Sequence, residues 1–362
     1  MKKGKFNIVI GAQAGSESKG KLSGWLCDKE TPDALVMAAS PNAGHTVITP
    51  EGEKKVSYHL PIGSVMCNAP IYLGPTSVIN LDNLAVEIST LGIDPARITI
   101  DPRAAIIHKH HIYLEHNNKL SDMGSTLQGI GECRIHKLRR NDKSLAVYHD
   151  KRVIETKLGV RIASTSPIIN NMMREGGTVL CESTQGFDLD LEHGIDPIYC
   201  TTKMINPAMC MAEAGVSPAF IGDVYGVLRP YPIRVNNRTG TSGPYTGSTE
   251  ITWPIVADRC GHPNPEELQE ITTTTKLPRR VFEFSDVRFE HFMSICQPTS
   301  LCVQFANYID WTAYGVRTFA DLPSPVVDWV KDLQRRYGVP VDFIGTGPQH
   351  MDMVVVPGEE AQ

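Results

Sequence analysis

The sequence predicts an α/β protein with a large, mostly parallel central sheet and flanking helices. Three observations carry this. Short apolar runs suited to buried strands recur at 6–10, 34–39, 71–73, 97–100, 178–181, 219–228, 301–305 and 341–344. Helical periodicity lies between several of them, at 19–29, 81–91, 203–214 and 324–337. The first run, Phe6-Asn7-Ile8-Val9-Ile10, passes straight into a glycine loop and then a helix with Leu22, Trp25 and Leu26 on one face. Strands that alternate with helices pair in parallel. Because both faces of such a sheet are covered, its strands read as continuous apolar runs.

The chain has 362 residues, enough for two domains or one large unit at about 150 residues each. No linker, repeat or low-complexity tract interrupts it, so residues 1–362 are read as a single domain with loop and helical excursions. Hydrophobic residues at 41% and charged residues at 21% exclude wholesale disorder, collagen-like repeats and coiled coil. Thirty-five Lys+Arg against 40 Asp+Glu leave a net charge of −5 and no basic footprint for nucleic acid. No apolar run approaches the ~18 residues that span a bilayer. Met1-Lys2-Lys3-Gly4-Lys5 resembles a signal n-region, but Phe6–Ile10 is too short for the apolar segment that should follow. A cytoplasmic protein without a membrane partner is expected. None of the nine cysteines forms a C-x-x-C pair, and several sit in apolar runs, which reads as buried free thiols in a reducing compartment.

The chemistry concentrates in loops. Gly15-Ser16-Glu17-Ser18-Lys19-Gly20-Lys21 fits G-x-x-x-x-G-K after a strand, an arrangement that aims backbone N–H groups and a helix N-terminus at a phosphate. Leu22 follows where the usual motif has a magnesium-binding Ser or Thr. Pro41-Asn42-Ala43-Gly44-His45-Thr46 sets a histidine in a second loop. Residues 236–249 lack apolar periodicity and read as a mobile surface loop of the kind that closes over substrates. The basic stretch Arg134 to Arg140 reads in isolation as a solvated face. His108, His110, His111 and His116 lack ordered metal-ligand spacing and read as a surface patch, although Glu115 stands one turn after His111.

Together these segments resemble the adenylosuccinate synthetase family, whose glycine loop reads G-x-Q-W-G-D-E-G-K-G-K and whose second loop reads N-A-G-H-T. Further anchors follow in family order: Gly124-Ser125-Thr126-Leu127-Gln128-Gly129-Ile130-Gly131, Glu182-Ser183-Thr184-Gln185-Gly186, Asp190 through Thr201, Arg234-Val235, Thr274-Thr275 with Arg279-Arg280, and Gly345-Thr346-Gly347-Pro348. The resemblance runs from about residue 6 to residue 350. It implies a homodimeric, magnesium-dependent ligase. Such an enzyme phosphorylates the 6-oxygen of a purine monophosphate with a nucleoside triphosphate, then displaces that phosphate with the amino group of L-aspartate.

The resemblance also implies roles. His45 would be the general acid, Lys19 would neutralise charge near the 6-phosphoryl group, and Gln185 would hold the purine 6-position. Ser16, Asn42, Ser125, Thr126, Arg139, Gln185, Thr201 and Val235 would bind the acceptor nucleotide. Arg139 and Arg140 are alternatives for the arginine that a neighbouring subunit lends to the phosphate. Gly15, Glu17, Ser18, Lys19, Gly20, Lys21, Gly44, His45, Thr46, Asn307, Gly345, Gly347 and Pro348 would bind the triphosphate. Thr274, Thr275 and Arg279 would bind aspartate, and Ser16 and Gly44 would meet magnesium.

Three departures redirect the substrate expectation. Ser16 stands where the family has an Asp that acts as base and magnesium ligand. Serine has no titratable carboxylate, but it leaves space for, and accepts from, a purine 2-amino group. This favours dGMP or GMP over IMP, as in phage-type relatives that make a diaminopurine precursor. Asn307 stands where the guanine-reading Asp is expected. Its amide both donates and accepts, matching adenine and so ATP or dATP. A register shifted by three residues would instead use Asp310 and restore guanine. Leu277 replaces an arginine near the ribose 2′-hydroxyl, compatible with a 2′-deoxy acceptor. The expected reaction is condensation of dGMP with L-aspartate, with IMP plus GTP, or a catalytically silent homologue, as alternatives. A water, Glu17 or the substrate phosphate is left to act as base.

Overall fold

A computed structural model describes residues 1–118, 125–140, 146–236, 242–272 and 277–358. Its centre is a ten-stranded sheet. In chain order the strands are β1 (Phe6–Gly11), β2 (Ala34–Met37), β3 (Ile71–Leu73), β4 (Ile98–Ile100), β5 (Arg161–Ile162), β6 (Val179–Gly186), β7 (Ile221–Leu228), β8 (Ser300–Val303), β9 (Val341–Gly345) and β10 (Met353–Val355). Across the sheet they run β10-β9-β8-β7-β1-β6-β2-β3-β4-β5. Every pairing is parallel except β9 with β10. All six residues of β1 are buried, as its apolar run requires of a strand covered on both faces.

The sequence-derived strands all fall in this sheet. The helices Lys19–Glu30 (α1), Leu81–Leu91 and Ser324–Tyr337 match their predicted spans within a residue. The helix expected at 203–214 begins later, at Pro207. Asn206 accepts the Met209 N–H at 2.9 Å and caps it, and Pro207 opens its first turn. Strands β5 and β10 and the antiparallel hairpin His45–Ile48/Lys54–Ser57 were not anticipated, because such short pieces carry no periodicity.

In the segment read as a surface loop, the described residues 242–249 form no helix or strand and leave Pro244, Thr246, Gly247 and Thr249 exposed, but the loop is anchored. Ser242 and Tyr245 are buried; the Tyr245 hydroxyl donates to Asp188 at 2.6 Å, and the Arg288 guanidinium lies 3.9 Å above its ring. One aromatic among small polar residues was enough to anchor the segment. All nine cysteines are free, seven of them buried. Among the described residues no helix is long and apolar enough to cross a membrane.

Parallel sheets bind ligands beyond the carboxyl ends of their strands, where the strand order reverses. Here β1 ends between β6 and β7, and its loop crosses the end of β6. Gly11 pairs with Gly186 across a register irregularity. A Cβ on Gly186 would press on the Gln13 carbonyl and lie 2.6 Å from the Gly15 nitrogen, so the crossing requires glycine. Gly186→Ala should therefore cost about 1–3 kcal/mol of stability by overpacking and displace the loop; urea unfolding and triphosphate binding would read the two effects.

Candidate functional site

The loop after β1 is held in a conformation that non-glycine residues rarely adopt. Gly15 (φ 93°), Ser16 (φ 61°) and Ser18 (φ 66°) are all left-handed, and such strain gathers where a site needs a particular backbone shape. Glu17, wholly buried, holds the loop from inside. Its Oε1 accepts the N–H groups of Gly15 at 2.7 Å and Gln13 at 3.2 Å, and its Oε2 pairs with Lys19 Nζ at 2.9 Å. A buried carboxylate needs this complement of donors and positive charge. Among the described residues no side chain caps the start of α1; the Lys21 N–H bonds the Ser18 carbonyl at 3.0 Å, and the positive end of the helix dipole is open to an anion. Gln13 fastens the loop to the end of β7: its side-chain amide donates to the Arg229 carbonyl and accepts the Arg229 N–H, both at 3.0 Å.

The hairpin beginning at His45 lies across α1. Gly20 permits this, since a Cβ there would sit 2.8 Å from the Thr46 carbonyl oxygen. Gly44, His45 and Thr46 are thereby brought to the glycine loop. His45 is buried, and its Nδ1 is hydrogen-bonded to Glu182 Oε1, while Glu182 Oε2 accepts the Ile62 N–H at 3.1 Å. The carboxylate fixes the ring's tautomer through Nδ1. Beside it Gln185, also left-handed at φ 68°, donates from Nε2 to Asn42 Oδ1 at 2.5 Å, and Asn42 Nδ2 donates to Thr201 Oγ1 at 3.4 Å. Three residues assigned to the acceptor nucleotide thus form one chain.

A second cluster joins three other assignments. Arg229, fully buried, donates from Nη1 to the Ser16 carbonyl at 3.2 Å and to Glu270 at 3.2 Å, with its Nη2 on the other Glu270 oxygen. Arg279 Nη1 reaches Glu270 at 3.1 Å, and the Tyr308 hydroxyl donates to it at 3.2 Å. Burial alone would raise the Glu270 carboxyl, but the charges of Arg229 and Arg279 outweigh it and hold the pKa below the ordinary value. Phe305, at φ 59°, stacks 4.0 Å under the Arg229 guanidinium. Asn307 follows, buried, in the single turn Ala306–Tyr308. Asp310, the alternative base reader, is instead committed to its own turn, accepting from Thr312 N at 2.9 Å and Thr312 Oγ1 at 2.6 Å.

Gly345, Gly347 and Pro348 lie on and after β9, beside the loop that follows β8. Lys21 binds this segment, donating to the carbonyls of Gly347 at 2.6 Å and Asp352 at 2.5 Å. It braces the segment after β9 rather than presenting a bare ammonium. Ser125 and Thr126 lie on the loop before the helix Ile130–Arg139; Ser125 Oγ accepts the Leu127 N–H at 3.2 Å. Gly131 of that helix packs against Thr202, next to Thr201. Val235, Arg139 and Arg140 are exposed, and among the described residues no contact ties these arginines to the cluster. Thr274 and Thr275 lie outside the described residues.

Glu182, Arg229 and Glu270 were not assigned a role from the sequence. A charged residue inside the apolar run before Gln185 was a signal for Glu182. Glu270 had none, because its partners are 41, 38 and nine residues away.

Residues 8–161 and 144–313 match the family model for adenylosuccinate synthetase. The chain is 33% identical over 338 residues to the N6-succino-2-amino-2′-deoxyadenylate synthase of Acinetobacter phage SH-Ab 15497, covering 84% of each protein. It is 31% identical over 350 residues to the adenylosuccinate synthetase of Methanococcus vannielii, covering 94% of this chain and 96% of that relative. The solved succinoaminodeoxyadenylate synthetase of cyanophage S-2L, bound to dGMP and to dATP as an energy donor, is 32% identical and superimposes with a TM-score of 0.82 over 98% of this chain and 96% of that one.

Burial lowers the Lys21 ammonium from 10.5 to about 8, against the opposing pull of Asp352. The native state therefore releases this proton before the unfolded chain does. The Lys21 contribution to stability should rise as pH climbs from about 8 towards 10.5. Urea unfolding at pH 7 and pH 9.5 should show wild type gaining on Lys21→Met at the higher pH.

Proposed function

Because the chain belongs to the adenylosuccinate synthetase family, we propose that it condenses dGMP with L-aspartate, using ATP or dATP as energy donor. The products are N6-succino-2-amino-2′-deoxyadenylate, phosphate and the nucleoside diphosphate. Ser16 carries the reading. It stands at the exposed turn of the glycine loop, its carbonyl fixed by Arg229, where a short hydroxyl leaves room for a purine 2-amino group. The phage relative's name and the dGMP and dATP in the cyanophage structure support it. The commitment of Asp310 to its own turn supports Asn307, and hence adenine, at the donor site.

The reaction has two steps: transfer of the γ-phosphoryl group to the purine 6-oxygen, then attack of the aspartate amine at carbon 6 with loss of phosphate. Both call for positioning and charge stabilisation. The α1 N-terminus and Lys19 hold anionic charge, and Glu182 holds His45 in position to protonate the departing diphosphate oxygen. The Gln185–Asn42–Thr201 chain places the acceptor. Arg279, whose Nε has no partner among the described residues, is available for an aspartate carboxylate. The Gly44 carbonyl and Ser16 hydroxyl are hard oxygen donors that fit Mg2+, with triphosphate and water completing its shell. Bound there, the ion would neutralise developing phosphate charge. Glu17, the loop's carboxylate, is the protein group nearest in sequence to the missing Asp base.

Arg139 would act across a homodimer. It ends a helix with Leu138 77% exposed and Ile135 44% exposed, apolar surface of the kind a second copy would cover.

Phosphate release with L-aspartate and Mg2+, crossing IMP, GMP and dGMP with ATP, dATP and GTP, tests the proposal. Turnover should be fastest with dGMP and an adenine donor. Preference for IMP with GTP would assign the chain to ordinary adenylosuccinate synthesis, and triphosphate binding without turnover on any acceptor would make it a silent homologue. Glu182→Gln should keep the fold but lower kcat by about 10²–10⁴, the usual worth of a positioned general acid, with little change in the KM for dGMP.

A further inference from the structure

The histidines read from sequence as a surface patch are brought together by the fold with a partner 25 residues away. His110 and His111 open the helix Lys109–Asn117 (α2), and His136 lies on Ile130–Arg139 (α3). One nitrogen from each of the three lies within 4.8 Å of the others. His111 Nε2 and His136 Nδ1 are 3.0 Å apart, and the rings of His110 and His111 have centroids 3.9 Å apart. His108 completes the group, its ring stacked 5.8 Å from that of His110 and its Nε2 buried without a hydrogen-bond partner among the described residues.

We propose that His110, His111 and His136 bind a transition-metal cation of the imidazole-preferring class, such as Zn2+, and so clip α2 to α3. Two nitrogens at about 2.0–2.1 Å from a tetrahedral Zn2+ lie roughly 3.3 Å apart, close to the spacing already present between His111 and His136. His111 is buried and His110 exposed, so the site has a fixed base and an open side where water completes the shell. Neutral imidazoles suit Zn2+, Ni2+ and Cu2+ far better than Mg2+, which keeps the site distinct from the magnesium chemistry of the reaction.

The proton balance is explicit. His111 Nδ1 accepts the His108 N–H at 3.0 Å, so the neutral ring carries its proton on Nε2, towards His136. Binding through Nε2 moves this proton to Nδ1 and gives up the bond from His108. The proton count does not change, and two neutral hydrogen bonds, from His108 N–H and to His136 Nδ1, give way to metal–nitrogen bonds at His111 and His136. The clip would reinforce one already in place: Glu115, a turn beyond His111, accepts the N–H groups of Gly129 at 2.6 Å and Gly131 at 2.8 Å at the start of α3. The metal would thus stiffen the helix that carries Arg139.

The test uses the full chain without an affinity tag, stripped with chelator and held in excess Mg2+. Zn2+ is titrated and followed by bound metal per chain and by thermal unfolding. Co2+ serves as a second probe, because its spectrum separates imidazole from thiolate ligation. One Zn2+ per chain, a raised Tm and a Co2+ spectrum without a sulfur charge-transfer band are expected. His110→Gln and His136→Gln should each weaken binding at least about tenfold, since even changes one shell further out cost about 10–100-fold. Turnover of the metal-stripped protein should be the same in wild type and both variants. Equal Zn2+ binding in wild type and variants, thiolate-type Co2+ spectra, or no binding at micromolar Zn2+ would overturn the proposal.

Discussion

The site is built round one buried charge. A carboxylate without access to water is tolerable only where donors surround it, and Glu17 finds them in Gln13, Gly15 and Lys19. Meeting that demand bends the backbone through left-handed residues on both sides, at Ser16 and Ser18. It also draws the loop over β6 until two glycines face each other. The position of Ser16, the start of α1 and the seat of the His45 hairpin follow from the same crossing.

The left-handed residues describe the extent of the site. Among the described residues nine non-glycine positions have positive φ, and Ser16, Ser18, Leu127, Gln185 and Phe305 all border the elements assigned to substrates. Ser16, Ser18, Leu127 and Phe305 lie beyond the carboxyl end of a sheet strand or before a helix, and Gln185 is the last residue but one of β6. The Arg229–Glu270–Arg279 network spans the same region. Round the Glu270 carboxylate it gathers Arg279, the Tyr308 hydroxyl and, through Arg229, the Ser16 carbonyl, the places proposed above for aspartate, the donor base and the purine.

The sheet was legible in the sequence because buried parallel strands leave unbroken apolar runs, as Phe6–Ile10 shows. Of its two- and three-residue strands, β3 and β4 fell within predicted runs, whereas β5 and β10 were missed. At the site, His45, Asn42 and Gln185 were named because each lies in a recognisable local motif, although their partners are more than a hundred residues away. Glu270 and Arg229 escaped for the opposite reason: an ion pair between residues 41 positions apart leaves no local trace. The histidine cluster shows the same limit. His110 and His111 are adjacent in sequence, but His136 joins them only once two helices pack. Tyr245 failed differently, since a stretch rich in Gly, Ser and Thr concealed an aromatic anchor.

The Gln185–Asn42–Thr201 chain has a direction. Gln185 gives a proton to Asn42, and Asn42 gives one to the Thr201 oxygen. With its oxygen already accepting, Thr201 turns its own proton outward. The chain therefore ends in a hydroxyl that keeps its own proton to give, and a phosphate oxygen, with lone pairs only, is a group that can take it. Reversing the Asn42 amide would claim that proton for Asn42, so the orientation of one side-chain amide decides whether Thr201 has it to offer.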